Sequence, residues 1–233
     1  MAMREFIRTA ATSESAIAAH MRQVFNYMTG GVALSGGIAY FLGTYNGGAL
    51  LSMLVGSGLM WVLMLATLGL VFFLSFRVHT LQPATALGLF ALYSAMNGAM
   101  LAPLVWAYTG ASVATAFITA AGMFAAMSVY GYTTNRSLNG LGSFLFMGLI
   151  GIVIASVVNI FMQSSQMSFV ISLLAVPLFA GMTAYDTQKI KEMGMAAGDD
   201  VSRSRMAVMG ALQLYLDFIN MFIHLLQLLG DRR

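Results

Sequence analysis

Two aspartates carry most of the chemistry available to this chain: Asp217, in ALQLYLDFINMFI (211–223), and Asp186, in AGMTAYDTQKI (180–190). Asp217 is the single charged residue between Met206 and Gly230. A carboxylate at the middle of an apolar helix costs about 2.5–3.5 kcal/mol on membrane-insertion scales, and ionisable residues kept there mark functional sites. Projected at 100° per residue, Gln213, Asp217, Asn220, His224 and Gln227 fall within an arc of about 80°. The rest of that surface is Leu, Phe, Ile, Met and Tyr. Lipid cannot satisfy such a stripe, so it must face protein or a water-filled cavity. This helix is therefore expected at the centre of a bundle, with Gln213, Asn220 and His224 as candidate lining of a path. Interhelical hydrogen bonding, worth about 0.6–2 kcal/mol each, is the alternative reading for Gln213, Asn220 and Gln227. Structural packing is the alternative for His224.

Two carboxylates brought together in a low-dielectric site cannot both ionise cheaply. They share a proton, and the pair titrates in two separated steps. Losing that proton leaves them to repel each other or to recruit a cation. Calcium, a hard ion that takes carboxylate and carbonyl oxygens, suits such a site. Two carboxylates are too few for a tight, closed cage and fit transient binding along a path. Asp186 and Asp217 are thus a candidate pH sensor and gate and candidate transient calcium ligands, with no tightly bound cofactor expected. Position alone also allows Asp186 to be an ordinary interfacial charge. With one helix ending near Met193 and the next starting near Ser202, Asp186 lies roughly 10 Å and Asp217 roughly 22 Å from those ends. Their depths match if the first helix protrudes or the second tilts. Arg77, in LSFRVHTLQP, is the only Lys or Arg between Arg22 and Arg136. It is either an interfacial anchor or a latch that pairs with one of the aspartates and holds the path closed.

The elements that position these groups follow from composition. The 233 residues are 59% hydrophobic and 8% charged, against about 25% charged in soluble domains. Residues 23–76, 78–135 and 137–185 contain no Asp, Glu, Lys or Arg. A spanning helix needs about 20 apolar residues, so each stretch holds two. Met206–Gly230 holds one more, which makes an all-α polytopic membrane protein of seven transmembrane helices. The expected spans are 24–44, 50–74, 84–105, 111–132, 141–162, 168–190 and 206–229. Breaks are expected at Asn46-Gly47-Gly48, Gln82-Pro83, Thr109-Gly110, Asn139-Gly140 and Gln163–Gln166. The single membrane domain covers 23–233, after a short segment, 1–22, that contains Arg4, Glu5, Arg8 and Glu14 and no signal-peptide core.

Orientation follows from Lys and Arg in the loops. Nine of the eleven fall on the side of the N-terminus, which is expected to be cytoplasmic; Arg232 and Arg233 fall on the other. An odd number of spans puts the C-terminus outside, whereas that arginine pair favours the cytoplasm. A tilted or partly re-entrant last helix reconciles the two.

AGMTAYDTQKI (180–190) and ALQLYLDFINMFIHLLQLL (211–229) together resemble the paired C-terminal signatures of the Bax inhibitor-1, or transmembrane Bax inhibitor motif, family. ALYSAMNGAMLAPLVWAYTGASVATAFITAAGMFAAMSVYGYTT (91–134) and GSFLFMGLIGIVIASVVNIF (142–161) agree. The resemblance covers nearly everything after residue 22 and points to a bacterial member in the inner membrane. It implies seven helices with the last at the centre, wrapped by the other six, and a pH-sensitive calcium leak. It places the family's aspartate pair on Asp186 and Asp217 and its basic latch, loosely, on Arg77. The sixth loop, GMAAGDDVSRSRM (194–206), is long, and its Asp199 and Asp200 read as solvated charges.

Two further functions compete with a calcium leak. Some bacterial members of that family are thought to bind and restrain a membrane-anchored ATP-dependent protease, and residues 1–22 and the sixth loop are the surfaces available for such a partner. An intramembrane aspartyl protease needs two carboxylates but carries GxGD at the second; here Leu214, Tyr215 and Leu216 precede Asp217. No enzyme is expected. GxxxxGK[ST] and HExxH are absent, as is cysteine. Nothing points to nucleic acid as a partner; the lipid bilayer and calcium ions are the partners expected.

Overall fold

The computed structural model of the chain describes the backbone of residues 2–44 and 48–233, and side chains from Ser15 onward. Its helices are α1 (Ala2–Thr44), α2 (Ala49–Gly56), α3 (Leu59–Arg77), α4 (Pro83–Ala107), α5 (Gly110–Thr133), α6 (Asn139–Met162), α7 (Ser165–Ala196) and α8 (Asp200–Leu229). Asn46 and Gly47 of the expected first turn, and the side chains of Arg4, Glu5, Arg8 and Glu14, lie outside the described residues. No break falls at residue 22, because α1 is continuous to Thr44.

Helix starts follow local chemistry. Pro83 opens α4, where its missing N–H costs nothing. Thr109, Ser164 and Asp199 cap α5, α7 and α8, their side-chain oxygens accepting from the backbone N–H groups of Ser112, Met167 and Ser202. Six helices, α3 to α8, are long and apolar enough to cross a membrane. The segment Ser15–Thr44 and α2, bent by 98° to each other, qualify together as a seventh.

Several boundaries differ from expectation. The span predicted at 50–74 is interrupted: α2 ends at Gly56 and α3 begins at Leu59, with Gly58 at φ 72°. A left-handed residue cannot continue a right-handed helix, and glycine adopts that conformation without a Cβ clash. Asn139 and Gly140 are the first residues of α6, so the break there is residues 134–138. The long sixth loop reduces to residues 197–199, because α7 continues to Ala196 and α8 starts at Asp200. The last helix is not re-entrant but one unbroken segment of 30 residues.

The core is built around α8. Its apolar window is 67% buried inside the protein, against 6% for α6. It packs directly on α1, α4, α5 and α7; α6 packs on α7, and α3 on α4 and α2. Tyr215 is fully buried in this core, edge-on to the rings of Phe90 and Tyr93 of α4 at 5.7 and 5.8 Å. Its hydroxyl reaches Ser35 Oγ of α1 at 2.6 Å. Ser35 Oγ also contacts the carbonyl oxygens of Ser94 and Gly31 at 2.7 and 2.9 Å. Carbonyls only accept, so the serine proton serves them and the tyrosine donates to Ser35.

Candidate functional site

Residues of the AYDTQKIK segment (184–191) of α7 have separate tasks. Ala184 meets Gly131 of α5 so closely that a Cβ on Gly131 would strike the Ala184 carbonyl. Tyr185 lies over Gly142 of α6, where a Cβ would come within 2.7 Å of its ring. Thr187 donates to the Thr183 carbonyl of its own helix at 2.7 Å. Gln188 fixes the α5–α6 link: its Oε1 accepts from the Leu138 N–H at 2.8 Å, and its Nε2 donates to the Arg136 carbonyl at 2.9 Å. Lys191 Nζ donates to the Tyr132 carbonyl at 2.9 Å. These contacts hold α5, α6 and α7 in register and aim Asp186 at α8.

Asp186 and Asp217 meet. Their carboxyl groups lie within hydrogen-bonding reach of each other, and the residues are 8% and 2% exposed. Asp186 sits ten residues before Ala196, the end of α7, and Asp217 seventeen residues after Asp200, the start of α8. The seven-residue difference is roughly 10 Å of helix rise. The three-residue link at 197–199 is long enough to let α8 begin that much beyond the end of α7.

The pair opens into a cavity of about 530 Å³ between α6, α7 and α8, which Gln213 and Asn220 also line. Asp217 Oδ2 and Gln213 Oε1 are buried acceptors without a hydrogen-bond donor among the described residues. Acceptors of this kind are what a cation or water meets. Asn220 Nδ2 donates to the Leu216 carbonyl at 2.8 Å, which leaves its oxygen for the cavity. Among the described residues no group of three or more acidic or imidazole side chains converges, so the carboxylates stand as a pair.

His224 belongs to a second, smaller cavity of about 210 Å³, lined also by Ser156, Asn159, Ser168 and Gln227. Ser172 Oγ donates to Gln227 Oε1 at 2.7 Å and lies 3.1 Å from His224 Nδ1. With the serine proton engaged by Gln227, Nδ1 is the donor in the second contact. The Phe179 ring stacks on His224 at 6.1 Å and also lines the larger cavity, so it stands between the two.

Arg77 does not join the pair. It is exposed at the C-terminal end of α3, and the one ion pair among the described residues is Arg203–Asp200. Asp199 and Asp200 are the capping residue and first residue of α8 rather than ion ligands. Sequence reasoning missed Tyr215, Gln188 and Ser172. Each secures one of the elements around the pair, and each partner is distant in sequence.

Comparison with known proteins matches residues 17–233 to the family model described as "Inhibitor of apoptosis-promoting Bax1". The chain is 42% identical over 217 residues to the inner membrane protein YbhL of Escherichia coli, covering 92% of each chain. It is 42% identical to the uncharacterized protein RP147 of Rickettsia prowazekii, over 95% of this chain and 93% of that one. An uncharacterized protein of Deinococcus radiodurans is 39% identical, over 99% of this chain and 98% of its own length.

Proposed function

The chain belongs to the Bax inhibitor-1 family, and from that premise we propose that it is a calcium leak of the bacterial inner membrane, gated by the protonation of Asp186 and Asp217. The observation that carries this reading is the meeting of the two carboxyl groups, from adjacent helices, in a cavity with further buried acceptors. A proton held between the carboxyls keeps them together and neutralises one of them. Its loss places two negative charges side by side in a site of low dielectric. The pair then separates or takes up a divalent cation from the aqueous phase. Gln213 and Asn220 supply neutral oxygens beside it, and the His224 cavity continues the polar stripe toward the C-terminal end of α8. Phe179 is the apolar constriction between the two cavities. The excess of Lys and Arg on the side of the N-terminus supports a cytoplasmic N-terminus.

The test is calcium flux into liposomes holding the purified protein, from pH 6 to pH 8, for wild type, Asp186→Asn and Asp217→Asn. Asparagine keeps the shape and removes the titration. A wild-type leak whose pH dependence is flattened by either substitution supports the gate. Absence of protein-dependent flux at every pH overturns it, and leaves restraint of a membrane-anchored protease as the reading to pursue.

A further inference from the structure

A different cavity, of about 470 Å³, opens on the other side of α8. It is a groove between α1, α4 and α5, floored by Phe218 and Phe222 of α8, mostly apolar, with Arg233 as its one charged lining residue and the Tyr40 and Thr44 hydroxyls as its other polar groups. Its volume falls within the about 300–1,000 Å³ typical of small-molecule sites.

Three observations define what fits it. The first is charge at one end only. The C-terminal tail is tied to the α4–α5 link: Thr109 N–H donates to the Asp231 carbonyl at 3.1 Å, and Arg233 N–H donates to the Ala107 carbonyl at 3.0 Å. That strap sets Arg233 at the rim. Arg232 sits beside it, its guanidinium 5.7 Å from the centre of the Tyr108 ring. The second is depth. From Leu229 at the end of α8 to Phe218 is eleven residues, roughly 16 Å of rise. That is about half of a 30 Å hydrocarbon core, the reach of one leaflet. The third is the level of the rim. Tyr40 and Trp106, both more than half exposed, lie near the helix ends at Thr44 and Ala107. Aromatic residues of this kind mark the headgroup boundary.

We propose that the groove binds one anionic phospholipid. An acyl chain runs past Gly36 and Phe117 to rest on Phe218 and Phe222, and Arg233 holds the headgroup phosphate. The bound chain then touches α8 at the residue next to Asp217, on the face opposite the carboxylate cavity.

The test is native mass spectrometry of the purified full chain in detergent, with phosphatidylglycerol, phosphatidylcholine of the same chains, or free palmitate added. Gly36 lines the groove, and a Cβ there would meet nothing within 4 Å. Gly36→Leu therefore projects a side chain into the groove from a position whose backbone accommodates a Cβ without a clash. Gly37 has the same open surroundings but does not line the groove, so Gly37→Leu is its control. Wild type and Gly37→Leu are expected to retain one phosphatidylglycerol in preference to phosphatidylcholine. Gly36→Leu is expected to lose it, and Arg233→Gln to reduce the preference about five-fold while still retaining lipid. Equal retention of both phospholipids by wild type, unchanged retention by Gly36→Leu, or a preference for palmitate over phosphatidylglycerol overturns the assignment.

Discussion

The Tyr215 hydroxyl donates to Ser35 Oγ across 2.6 Å, joining helices whose contributing residues are 180 positions apart in sequence. Tyr215 precedes Asp217 by two residues, so the two side chains leave α8 about 160° apart. One side of the helix is clamped to α1 and α4 while the other offers its carboxyl to α7. Tyr215→Phe keeps the ring contacts and removes only the donor. It is expected to cost about 0.5–1.5 kcal/mol, read as a lowered midpoint of thermal unfolding in detergent. An unchanged midpoint would sink the clamp.

Gly131 and Ala184 set the distance between α5 and α7. Gly131→Ala puts a methyl group against the Ala184 carbonyl, and backbone cannot yield as a flexible side chain can. The expected cost is about 1–3 kcal/mol. Because Ala184 is two residues from Asp186, a displaced α7 also disturbs the carboxyl pair. A cysteine pair replacing Asp186 and Asp217 reports this: oxidant should cross-link it efficiently in an otherwise unaltered chain and poorly when Gly131→Ala is added. Equal cross-linking in both would show that α7 does not move.

The contrast between these contacts and the carboxyl pair shows what can be read without coordinates. The pair announces itself because charge in an apolar run is costly, and the 4-3-4-3 spacing of Gln213, Asp217, Asn220, His224 and Gln227 puts the stripe on one face. Hydropathy likewise delimits α4, α5 and α6 to within two residues at each end, and the start of α7 to within three. Ser35–Tyr215 and Gly131–Ala184 leave no such trace, since a small residue facing a distant helix looks like any other small residue. The stop at Gly58 was missed because hydropathy runs smoothly through it, and glycine is common inside membrane helices. The α7–α8 connection is hard to delimit for the opposite reason. Polar composition at 194–206 looked like a loop, although helix persists there, capped by Asp199 and carrying the 2.6 Å Arg203–Asp200 pair. The isolation of Arg77 in the sequence leaves anchor and latch both open, because it says nothing about which way the side chain leaves α3.

Gln188 ties the α5–α6 link to α7 through the Leu138 N–H and the Arg136 carbonyl. Gln188→Ala leaves a buried N–H without an acceptor, a loss of about 1–3 kcal/mol. Arg136 is exposed in that link. Trypsin is therefore expected to cut after Arg136 several-fold faster in the variant than in wild type. Equal rates would mean that the link is held by something else.

The cap of α8 gives a pH-dependent prediction outside the bilayer. Asp199 accepts from Ser202 N–H at 2.6 Å and Ser202 Oγ at 3.1 Å. Those hydrogen bonds hold its carboxyl below the usual carboxylate range. A pKa lowered by folding contributes stability that is present above the unfolded value and lost as pH falls through the folded one. The unfolding midpoint of Asp199→Ala should thus lie below that of wild type at pH 7, and the difference should shrink in acid below about pH 4. A difference independent of pH would assign the effect to helix propensity rather than to the charged cap.

The sparse packing of α6 changes what counts as the wall of the carboxylate cavity. Its main protein neighbour is α7, and most of its surface faces outward. What presses it inward is hydrocarbon, so the bilayer acts as a structural component of the compartment. Lateral pressure and thickness of the surrounding membrane thereby become variables of the site itself. Detergent, nanodisc and vesicle preparations of the same chain will differ first at Asn139–Met162, before anything changes at the two carboxyl groups.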